Sequence, residues 1–145
     1  SQGLMLYPFM QLDFENLSGQ KRYSPAKTYY QSKLALLMLS LYTREHWKGI
    51  KIQAIRVTNV RVDMRRYNHL NTFMKNLYKI KSRFSISPEE MAKVYTALST
   101  EDCYKGFLYD EKCREVKANA SAYEEEEQEK LYFLLEQLIF SRDNS

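Results

Sequence analysis

The feature that most constrains this chain is a long helical segment that opens at Ser24-Pro25 and stops at Gly49. Ser is a preferred N-cap, Pro suits the first helical position because its missing N–H has no intrahelical partner there, and Gly tolerates the left-handed turn that ends a helix. The middle of the segment, Leu34-Ala-Leu-Leu-Met-Leu, is apolar nearly all round, which predicts a buried helix. Ile50-Lys-Ile-Gln-Ala-Ile-Arg-Val57 follows at once. Ile50, Ile52 and Ala54 share one parity, and Ile55 and Val57 the other. The run reads as a strand covered on much of both faces, as in a parallel sheet.

Further along, residues 72–83 read as a short amphipathic helix carrying Phe73, Met74, Leu77, Tyr78 and Ile80. Ser87-Pro-Glu-Glu90 forms a capping-box pattern, predicting a helix to about Leu98. Gly106-Phe-Leu-Tyr109 reads as a short strand. Ser121-Ala-Tyr-Glu124 is a second capping-box pattern, opening a helix to about Phe140. The acidic run Glu124 to Glu127 falls in its first turns, where the helix dipole favours negative charge. Residues 1–23, with Gly19 in a polar run, and residues 58–71 read as loop. The order helix, strand, helix, helix, strand, helix implies an α/β fold with a parallel sheet. Two strands alone cannot cover helices this apolar, so residues 1–145 are expected to be one partial domain of a wider sheet, with a flexible end at about 141–145.

Composition narrows the function classes. The 145 residues are 44% apolar and 28% charged, enough for one globular core. A net charge of +4 does not by itself point to nucleic acid, and no nucleic-acid partner is expected. Cys103 and Cys113 are too few for a disulfide framework or a zinc site and read as reduced thiols. No apolar run reaches membrane-spanning length. A cytoplasmic protein, or one on a cytosol-facing membrane or lipid surface, is the expectation. His46 and His69 follow no metal-ligand spacing and read as surface residues.

Tyr29 and Lys33 carry the chemistry. They stand four apart in the apolar helix and so share a face. An ammonium beside a phenol favours the phenolate, and a Tyr tuned that way can exchange a proton near neutral pH, as carbonyl reduction and alcohol oxidation require. With 12 Tyr in the chain, about one such Tyr–Lys spacing arises by chance, and Tyr23–Lys27 is a second instance. Tyr23 precedes the helix start, so it shares no helical face with Lys27.

The stretch Lys21-Arg-Tyr-Ser-Pro-Ala-Lys-Thr-Tyr-Tyr-Gln-Ser-Lys-Leu-Ala35 is similar to the active-site helix of short-chain dehydrogenases/reductases. It looks most like the retinol-dehydrogenase-like branch, with its Tyr-x-x-Ser-Lys-Leu-Ala core after Tyr-Ser-Pro. Gly49, the strand at 50–57, Ser87-Pro-Glu-Glu90, Gly106-Phe-Leu-Tyr109 and Glu115-Val-Lys117 resemble later parts of that branch, and the likeness runs from Leu12 onward. It implies the C-terminal part of a Rossmann-like doubly wound parallel sheet. It also implies hydride transfer between NAD or NADP and a small, lipophilic carbonyl or alcohol substrate. On that resemblance Tyr29 is the general acid/base. Lys33 supports it and binds the nicotinamide ribose. Ser1, which falls at the second serine of the family's Val-Ser-Ser, holds the substrate oxygen. Val60 matches the family's Val in Pro-Gly-x-Val-x-Thr, at the nicotinamide end.

Two departures stand out. Val57 and Thr58 replace the family's Pro-Gly, and Val62 its Thr. The Gly-rich phosphate loop and the Asn-Asn-Ala-Gly segment of the N-terminal cofactor-phosphate half do not occur in these residues. Nothing in the sequence then offers a pyrophosphate the Gly turn and helix N-terminus it needs. The 145 residues alone are expected to be inactive, with no measurable dinucleotide affinity, and to self-associate through the edge of the strand at 50–57. The rival readings are a non-catalytic binding or scaffold remnant of the fold, and a basic peripheral membrane module. The last rests on Arg61 to Arg83, where seven Lys or Arg and the single acid Asp63 interleave with apolar residues.

Overall fold

The computed structural model describes residues 9–57, 60–61 and 85–142. A 3-10 turn at Phe14–Asn16 leads into helix α1 (Pro25–His46), strand β1 (Ala54–Arg56), helix α2 (Pro88–Thr100) and strand β2 (Leu108–Asp110). A second 3-10 turn, Ala120–Tyr123, leads into helix α3 (Glu125–Arg142). The chain is thus mixed α/β, with three helices and one two-stranded parallel sheet among the described residues. Ala54 stands opposite Leu108, Ile55 opposite Tyr109 and Arg56 opposite Asp110.

Strand parity sorts the core into two layers. Ala54 and Leu108 turn to one face, where Leu34, Met38 and Leu41 of α1 and Leu131 of α3 pack with Leu12, Phe107 and Ala122. Ile55 and Tyr109 turn to the other, against Met91, Val94 and Leu98 of α2. Each of these fully buried aliphatic side chains stabilises the fold by roughly 1.5–3 kcal/mol.

α1 buries Leu34, Met38, Leu41 and Tyr42, which lie at helical spacing on one stripe. Leu36 is 56% exposed, so the expectation of burial on nearly every side holds only for that stripe. The reason is the width of the sheet: on the described residues no further strand lies beyond β1 to meet Leu36. Gly49 lies in the α1–β1 connection with φ +85°, a left-handed conformation that favours Gly.

The strand expected at 50–57 pairs only over Ala54–Arg56, because β2 offers partners only from Leu108 to Asp110. Ile50 is exposed, and Lys51 donates from Nζ to Leu98 O at 3.1 Å and to Glu101 O at 3.2 Å, closing the C-terminal end of α2. The first capping box forms as expected. Glu90 N–H donates to Ser87 Oγ at 3.1 Å, and Ser87 N–H to Glu90 Oε2 at 2.9 Å. The second does not. Ser121 is buried inside the 3-10 turn, its N–H donates to Asn119 Oδ1 at 3.0 Å, and α3 begins only at Glu125. Asn119 has taken the capping role, so the box residues serve the turn instead. α3 runs through Arg142, and residues 143–145 of the end expected to be flexible lie outside the described residues. The helix expected at 72–83, and the basic stretch beyond Arg61, lie outside the described residues. Among the described residues, no helix is long and apolar enough to cross a membrane.

Candidate functional site

Tyr29 and Lys33 both lie in the N-terminal half of α1, one turn apart. The Lys33 Nζ is 5.5 Å from the centroid of the Tyr29 ring, within cation–π range. Tyr30 meets the Tyr29 ring edge-on at 5.3 Å. Ser32 Oγ donates to the backbone carbonyl of Tyr29 at 2.7 Å, a local bond within α1. Tyr29 is 49% exposed.

That groove has a volume of about 730 Å³ and runs between α1 and β1. Tyr29, Lys33, Leu36 and Leu37 form the helix wall. Ala54 to Val57 form the strand wall, and Lys117 to Ala120 close the space. The pair therefore shares a groove with Arg56 and Val57, at the carboxyl end of a parallel strand, the place where ligands bind in open α/β sheets. The groove is in the size range of small-molecule sites. Among the described residues its charged side chains are Lys33, Arg56 and Lys117, and no Asp or Glu lines it.

The approach to α1 is held in place by side chains. Gln31 Nε2 donates to Gln11 O at 2.7 Å while its Oε1 accepts from Asp13 N–H at 2.7 Å. Lys27 pairs with Asp13 at 3.1 Å. Asn119 Nδ2 donates to Met10 O at 3.2 Å and ties this approach to the segment that closes the groove. One amide on the helix and one after β2 thus fasten residues 10–13 beside Tyr29.

The other sequence candidates fall elsewhere. Val60 forms a parallel bridge with Ile86 and packs in the α2 layer, and it is not among the residues lining the groove. Ser1 and His69 lie outside the described residues. His46 is exposed and stacks on Tyr42 at 4.0 Å. Cys103 and Cys113 are free thiols, and among the described residues no cluster of His, Cys, Asp and Glu could hold a metal ion. Sequence reasoning assigned no site role to Gln53 or Asn119, and it noted Lys117 only for resemblance. Their roles depend on contacts across the fold, such as Gln53 Nε2 donating to Tyr104 O at 2.6 Å, which leave no local pattern.

Chemically, the groove combines a phenol that can donate a proton, two exposed or half-buried lysines and an apolar wall. Neither the models of protein families, nor the curated proteins, nor the solved structures contain a match to this chain.

Proposed function

We propose that this chain carries the proton-transfer and substrate-binding part of a nicotinamide-dependent oxidoreductase of the short-chain dehydrogenase/reductase type. The observation that supports it is the placing of Tyr29 and Lys33, one turn apart, on the wall of a groove that reaches the carboxyl end of β1. Tyr29 is the residue that donates its phenolic proton to a carbonyl oxygen, or accepts one from an alcohol. Lys33 offers ammonium donors to the ribose hydroxyls and holds positive charge beside the phenolate left after transfer. Leu36, Leu37 and Ala54 supply an apolar wall suited to a lipophilic carbonyl compound.

The donor set fits the nicotinamide-ribose end of NAD or NADP, which supplies the hydride when bound. It does not extend to the pyrophosphate. Among the described residues α1 and α2 each open with Ser-Pro, and α3 opens with three glutamates, so none presents the Gly turn that such a group requires. The test is spectrophotometric. NADH or NADPH oxidation is followed with lipophilic aldehydes and ketones, using the gene product that carries this sequence. Tyr29→Phe should lower turnover by about 100-fold or more while leaving thermal unfolding in place. Equal turnover by Tyr29→Phe would remove the phenol from the mechanism.

A further inference from the structure

We draw no further inference here: the strongest candidate, the cluster of Lys33, Arg56 and Lys117 along the groove between α1 and β1, belongs to the site already described.

Discussion

Arg114 closes on Asp110 twice through one oxygen: Nε donates to Oδ2 at 2.8 Å and Nη2 lies 2.7 Å from the same atom. The Asp110 carboxylate is 1% exposed at the end of β2, and its Oδ1 accepts from Lys112 N–H at 2.9 Å and Arg114 N–H at 3.0 Å. Burial pushes this carboxyl up. The Arg114 side chain and the two backbone N–H groups together outweigh burial and hold it below the ordinary carboxylate range. Because the folded value is depressed, the stabilisation is complete above the unfolded pKa of about 3.9 and is lost as pH falls through the folded value. Asp110→Asn should cost about 1–3 kcal/mol at neutral pH and flatten the acid limb of stability. Urea unfolding at pH 7 and below pH 4 measures both, and an acid limb as steep as the parent's would assign it to other carboxylates.

The start of α2 depends on Ser87. Its backbone N–H, followed by its hydroxyl, holds the Glu90 carboxyl below the ordinary range. Ser87→Ala should destabilise the fold by about 1 kcal/mol, and Ser87→Gly by only a few tenths. Denaturant midpoints rank the two, and a larger loss from Gly than from Ala would mean that the hydroxyl is not the cap.

Leu34 and Leu36 are two residues apart on α1 and differ in burial, at 0% and 56% exposed. Leu34→Ala opens a cavity in the core shared with Leu131 and should cost about 2–5 kcal/mol. Leu36→Ala should stay within about 0.5 kcal/mol in the absence of a ligand. Chemical denaturation of both variants tests the contrast. Comparable losses would show that the groove beside Leu36 is closed in solution.

The isolated 145 residues should show no micromolar affinity for NADH or NADPH, a range that corresponds to about −8 kcal/mol. The helix starts here are poor phosphate sites: Ser87 N–H is already taken by Glu90, and Glu125 to Glu127 repel an anion. Calorimetric titration decides it, and a clean micromolar isotherm would prove the expectation wrong.

The parts legible in the sequence are those whose bonds are local. α1 from Pro25, the capped start of α2, the left-handed turn at Gly49 three residues past the end of α1 and the shared face of Tyr29 and Lys33 all depend on groups within a few residues of one another. Helical hydrogen bonds close over four residues, so periodicity and caps suffice to read them. Strand extent is different, because a strand exists only where another segment offers its backbone. Ile50-Lys-Ile-Gln has the composition of a strand, yet pairing begins at Ala54, where β2 comes alongside. Ser121 and Glu124 have the pattern of a cap, yet Asn119 claims the turn, with its side chain also bound to Met10 far away in sequence. The groove is likewise a tertiary product, assembled from α1, β1 and the segment after β2. Its residues share no period or motif, so only the packing of these elements could bring Lys117 and Asn119 to the same space as Tyr29 and Lys33.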